Sequence, residues 1–212
     1  MRSVSRLAGL VAATVLVAGP LGAQTCLGFS SLAMGGMNVT PAAHFYDGGK
    51  SYGAQLNFGH MGMGMDHIIG VFAQENTYDD VGGVSISSNT TFGANLGIQK
   101  KNSMGWEWCP QIGVDYTTGD TKVLGLDAVV GIGKALSNMG GFTPVPFAWG
   151  GFGYTKPDCT GCSSDSHGVY GAGLGFRMKN NVQVTPSFSK TTMSGDKSVF
   201  HVGVTITLGG KK

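Results

Sequence analysis

From Phe200 to Leu208 every second residue is apolar. Phe200, Val202, Val204, Ile206 and Leu208 alternate with His201, Gly203, Thr205 and Thr207. A side-chain period of two belongs to a β-strand with one apolar and one polar face. The pattern recurs along most of the chain and predicts ten strands, at 38–46, 51–60, 66–75, 90–99, 105–116, 122–133, 142–154, 166–177, 181–190 and 198–208. Eight remain if 38–46 is a lead-in and one further segment is miscounted. Turn-forming residues separate the segments, among them Asp47-Gly48-Gly49, Lys101-Asn102-Ser103, Thr118-Gly119-Asp120 and Ser194-Gly195-Asp196. Even positions form the apolar face in most segments, as in Tyr52, Ala54, Leu56, Phe58 and in Leu124, Leu126, Ala128, Val130, Ile132. The opposite faces carry Gln55, Asn57, Asn95, Gln99, Glu107, Gln111, Asp115, Asp127, Arg177 and Gln183 among many glycines.

Two stretches break the pattern. In 142–154 the apolar residues change parity between Val145/Phe147/Trp149 and Phe152/Tyr154, which predicts a bulge near Gly150-Gly151. Pro186 falls near the centre of a strand, where a missing N–H interrupts a ladder, and the pattern offers no reason for it.

The length of the segments argues for an inside-out arrangement. Strands of globular proteins average about five or six residues, whereas a tilted membrane-crossing strand needs roughly 9–11. Trp106 and Tyr116 bracket one segment ten residues apart. At about 3.3 Å per residue and a tilt near 40°, that separation spans roughly 25 Å, the height of a membrane barrel's apolar band. The longest connections are expected at Asn76–Asn89 and Thr155–Asp165. A soluble, lipocalin-like carrier would bury the apolar face instead.

Composition narrows the class. Glycine supplies 37 of 212 residues and charged residues only 12%. Arg2 and Arg6, the apolar run Leu7–Ala18 and the break at Gly19-Pro20 read as a secretory signal peptide over 1–23. Without those two arginines, Lys+Arg falls from 14 to 12 and equals the 12 Asp+Glu, so no basic surface points to nucleic acid. The expected organisation is signal peptide 1–23, lead-in 24–37, barrel 38–208 and tail 209–212.

The end of the chain resembles the C-terminal assembly signal of outer-membrane barrel proteins, through His201, Gly203, Ile206 and Leu208. Together with the signal peptide and the amphipathic strands, the mature chain resembles small OmpA/OmpX-like barrels. That resemblance implies an all-β, antiparallel up-and-down transmembrane barrel in the outer membrane. It further implies monomers in contact with outer-membrane lipids, and insertion with the help of periplasmic chaperones and the barrel-assembly machinery. It implies no particular activity, because the fold hosts many.

Candidate chemistry is sparse. Four cysteines in an exported chain suggest two disulfides, and the placement of the segments selects Cys26–Cys109 and Cys159–Cys162. His60, Met63 and His67 form a weak copper-like set, outweighed by a glycine-rich turn, so no metal and no cofactor are expected. Glu107, Asp115, Asp127, Arg177 and His201 are the expected lumen-facing residues, with Arg177 paired to Glu107 or Asp127. No Gly-x-Ser-x-Gly, phosphate loop or His-Glu-x-x-His occurs. Ser166 and His167 point to opposite faces, and Val199 and Gly203 beside His201 are no nucleophiles. The expected role is non-enzymatic, structural or carried by the outer loops, with a narrow channel for ions or small solutes as the alternative.

Overall fold

A computed structural model describes residues 36–62, 65–79, 87–119, 122–159, 161–178, 181–193 and 198–209. Ten antiparallel strands close into a barrel in sequence order, with β1 pairing β10. They are β1 (Met37–Tyr46), β2 (Gly49–Gly62), β3 (Met65–Tyr78), β4 (Asn89–Lys101), β5 (Glu107–Thr118), β6 (Lys122–Gly133), β7 (Phe142–Asp158), β8 (Asp165–Met178), β9 (Val182–Thr191) and β10 (Ser198–Leu208). Closure removes every sheet edge, which a lipid-embedded sheet requires.

The polar face is inside. Asn38, His44, Asn57, Asn76, Thr91 and Thr117 are each 0% exposed, whereas Phe92, Ile112, Val130 and Tyr170 are 52%, 59%, 54% and 49% exposed. This is the reverse of a soluble carrier and the arrangement of a membrane-spanning barrel. Lysines and aromatics mark the two ends of the apolar wall. The Lys50 ammonium lies 5.9 Å from the Tyr52 ring centre at one end, and the Lys134 ammonium 5.6 Å from that of Trp106 at the other. Such pairs suit an interface, where the ring stays in lipid and the charge reaches water.

Three of the strand prolines sit where a ladder is open. Between β8 and β9 the pairing skips from Gly173↔Ser187 to Phe176↔Val184, beside Pro186. Between β1 and β10 it skips from Val39↔Ile206 to Ala42↔Gly203, beside Pro41. There a 3.0 Å hydrogen bond between the Thr40 and Thr205 hydroxyls bridges the gap from inside. Between β4 and β5 it skips from Gly97↔Gln111 to Lys100↔Trp108, beside Pro110. The missing N–H of Pro186 therefore faces a ladder gap on one side, while pairing to β10 continues on the other.

The bulge expected near Gly150-Gly151 is absent. Register runs unbroken through both glycines on the β6 side, from Lys122↔Asp158 to Gly133↔Phe147, and on the β8 side. Odd positions of β7 face inward throughout, so the parity change reflects apolar side chains on both faces. Phe147 and Trp149 enter the lumen, where their rings fill the space over Gly173 and Gly171 of β8. The two long connections also shorten. β3 continues to Tyr78, β4 begins at Asn89, and β7 runs to Asp158. Asn76 extends the inward polar row by donating to the Asn89 amide oxygen at 2.7 Å and the Thr91 hydroxyl at 3.0 Å.

Candidate functional site

The lumen is the candidate site, and its groups divide by height. One end of the barrel holds the starts and finishes of the chain's strand set, Met37 and Leu208, and is termed here the terminal end. The other is the far end.

At the terminal end Glu107 and Arg177 both face inward. Glu107 accepts a 2.6 Å hydrogen bond from the Gln99 amide, and Arg177 Nε donates to Gln183 Oε1 at 3.5 Å. Glu107 acts on Arg177 electrostatically. Asp127 lies elsewhere, beside Asp115, so it is not the partner that balances Arg177.

In the middle of the barrel, Asp115 of β5 pairs in register with Gly125 of β6, and Asp127 of β6 with Gly113 of β5. The two carboxylates are diagonal neighbours on the inner face, each lying against the other strand's glycine. A Cβ at Gly113 would collide with the Asp127 carboxylate, and one at Gly125 with that of Asp115.

Toward the far end, His201 of β10 lies opposite His44 of β1. Their Nδ1 atoms are 2.6 Å apart, and His201 Nε2 is 2.6 Å from the Ser189 hydroxyl of β9. The rings meet edge to face with centroids 4.7 Å apart. Sequence reading placed His201 but missed both partners, because cross-strand register, not strand alternation, brings them together. A nucleophile–base pair is contained in this chain, though its hydroxyl is only 5% exposed by residue.

Cys159 and Cys162 are joined by a disulfide in the β7–β8 connection, with Cα atoms 5.5 Å apart. Cys109 is also disulfide-bonded and 0% exposed, and its expected partner Cys26 lies outside the described residues. His60 and His67 are backbone partners across β2 and β3. The side chain of His60 and all of Met63 lie outside the described residues, as does the expected signal peptide. Among the described residues no group of three or more His, Cys, Asp or Glu side chains forms a ready metal cage. His201 and Gly203 of the expected assembly signal face inward, while Ile206 and Leu208 are 41% and 46% exposed. A groove of about 560 Å³ borders Leu126, Ala128, Phe152, Tyr154 and Thr192. Most of its lining belongs to the outward set, so the groove dents the wall, and Asp127, Gly153 and His167 also border it.

No protein-family model matches the chain, and no curated protein matches it. Solved structures share its fold. The β domain of the Bordetella autotransporter BrkA is similar at 12% identity and a TM-score of 0.50, over 81% of this chain and 99% of that one. The translocator domain of the autotransporter NalP from Neisseria meningitidis aligns at 11% identity and a TM-score of 0.45, over 95% of each chain. The Yersinia pestis outer membrane protein Ail aligns at 11% identity and 0.41, over 82% and 99%. The chain thus has the fold of outer-membrane β-barrel proteins, a closed antiparallel barrel of ten strands.

Proposed function

We propose that the protein is a sealed barrel of the bacterial outer membrane, a non-enzymatic structural element whose working surface is its far-end loops. The observation that carries this reading is the packing of the lumen. Gln55, Gln183 and Thr205 are each 1% exposed, and Asn38, Thr40 and Asn57 0%. A water-sized sphere does not reach the wall where these residues pack, and that stretch offers no continuous aqueous path. Polar side chains bond one another across it instead: Gln55 donates to Asn57 at 2.6 Å, and Asn57 to Asn38 at 2.9 Å. Phe147 and Trp149 add apolar bulk. With the termini on the periplasmic side, as in barrels of this kind, the far end faces outward.

The test is planar-bilayer conductance of the mature chain refolded in detergent, after heat-shifted gel mobility has shown that it is folded. A silent, inserted barrel is the expected result. Steady discrete steps would make the narrow channel the correct reading.

A further inference from the structure

The middle of the lumen holds two carboxylates that no ion pair among the described residues balances. Among the described residues Asp115 and Asp127 make no hydrogen bond and no ion pair, although Asp115 is only 6% exposed. They act on each other electrostatically. Two like charges taken from water without a counter-charge are costly, and a barrel wall offers them no backbone donors because every strand N–H is directed along the ladder.

Two further groups face the same space. Gly125 pairs with Thr155 on β7, which puts the Thr155 hydroxyl one strand beyond Asp115. Gly153 lies between Asp127 of β6 and His167 of β8, so that imidazole faces Asp127 across a residue without a side chain. The His167 side chain is 1% exposed, and Thr155 is 1% exposed. Asp115 Oδ1, Thr155 Oγ1 and both ring nitrogens of His167 lack hydrogen-bond partners. Asp165, about half exposed, lies 3.9 Å from His167 Nδ1. Buried polar atoms in native proteins are almost always satisfied, so the bare Asp115 oxygen and three orphaned atoms beside the carboxylate pair mark a place for something else. Gly113 and Gly125 leave room for the two carboxylates to lie over them, and Gly153 puts no side chain between Asp127 and His167.

We infer that Asp115 and Asp127, with Thr155 and His167 at its border, form a binding site for one hydrated divalent cation of the calcium class. The donors are chiefly hard oxygens, which suit Ca²⁺ or Mg²⁺ over soft metals. The side chains do not close a cage by themselves. The ion therefore keeps waters, and these reach Thr155 and the His167 ring. Calcium tolerates such mixed, irregular shells better than magnesium, which demands a near-ideal octahedron. Asp127 is partly exposed, which leaves the ion a way in. The occupied site ties β5, β6, β7 and β8 together, adding to the sealing of the lumen.

The experiment is calorimetric titration of CaCl2 into the mature chain, refolded in a nonionic detergent free of lipid phosphate and stripped with EDTA. The heat-modifiable gel shift is followed in parallel. The expected result is about one Ca²⁺ per chain and a rise in the temperature at which the folded band is lost. D115N and D127N should abolish both effects. Should those variants fail to fold, T155V keeps both carboxylates and should weaken binding about tenfold. E107Q, at the terminal end, should leave binding unchanged. No binding by the wild-type chain would overturn the inference, and so would binding that survives D115N and D127N together. A wild-type chain that binds nothing while D115N is more heat-resistant would show instead that the carboxyl pair holds itself by sharing a proton.

Discussion

Two imidazoles and a hydroxyl share one hydrogen-bonded chain inside this barrel, and its direction depends on where the protons sit. A 2.6 Å contact between the Nδ1 atoms of His44 and His201 holds a single hydrogen, so one ring donates and the other accepts. His201 then meets Ser189 through its other nitrogen, 2.6 Å away. The geometry contains a serine beside a base, yet the β9 backbone around it offers no free donors for an oxyanion. Residues 187–190 pair on both sides, with β8 and with β10, so their backbone N–H groups are committed to ladders and not free to hold an oxyanion. The chain is expected to be structural. A fluorophosphonate probe should leave the folded protein unlabelled, and labelling that vanishes in Ser189→Ala would make the barrel an esterase. His44→Ala, which strands the His201 nitrogen in the lumen, should cost about 1–3 kcal/mol in urea unfolding from detergent. Of this cluster only His201 was legible in the sequence as lumen-facing. Its partners come from two other strands, and a contact set by register between strands leaves no mark on the alternation within one.

At the scale of the element, β7 departs furthest from the alternation rule and shows what the rule measures. Alternation reports which face is apolar when the other is polar. β7 is apolar on both faces over much of its length, so its apolar residues change parity at Gly150-Gly151 while its pleat continues without interruption. The signal that identifies the inward rings lies one strand away. Gly171 and Gly173 of β8 are the hollows that Trp149 and Phe147 fill. Most other elements were legible: β6 and β10 begin and end where the pattern places them, because turn residues and alternation agree there. The β7 rings carry a prediction about sealing. Replacing Phe147 and Trp149 together by alanine removes two large apolar bodies from the lumen, at about 3–5 kcal/mol each if the space does not collapse. The double variant is expected to stay inserted, lose heat resistance and show small conductance steps in a bilayer where the wild type is silent. A silent double variant would place the seal in the polar network of Gln55, Asn57 and Asn38.

For the whole molecule, the open matter is how the chain enters its own barrel. Cys109 faces the lumen, is 0% exposed and is disulfide-bonded. Cys159 and Cys162 are bonded to each other, and the chain has four cysteines, so Cys26 is the partner that remains within one chain. A sulfur that points inward can be reached only from inside. The pairing Cys26–Cys109 is therefore expected to be made from the terminal end of the lumen. Such a bridge closes a loop of 83 residues (109 − 26), and loop-closure entropy alone assigns it about 4.5 kcal/mol. Non-reducing digestion of the mature protein is expected to release one peptide joining Cys26 to Cys109 and another holding Cys159 with Cys162. Reduction should lower the temperature at which the folded band is lost, and Cys26→Ser should reproduce most of that loss without reductant. A peptide joining Cys26 to Cys159 or Cys162 would put the lead-in near the far end. It would overturn the view that the segment ahead of β1 closes the barrel from the side where the chain begins and ends.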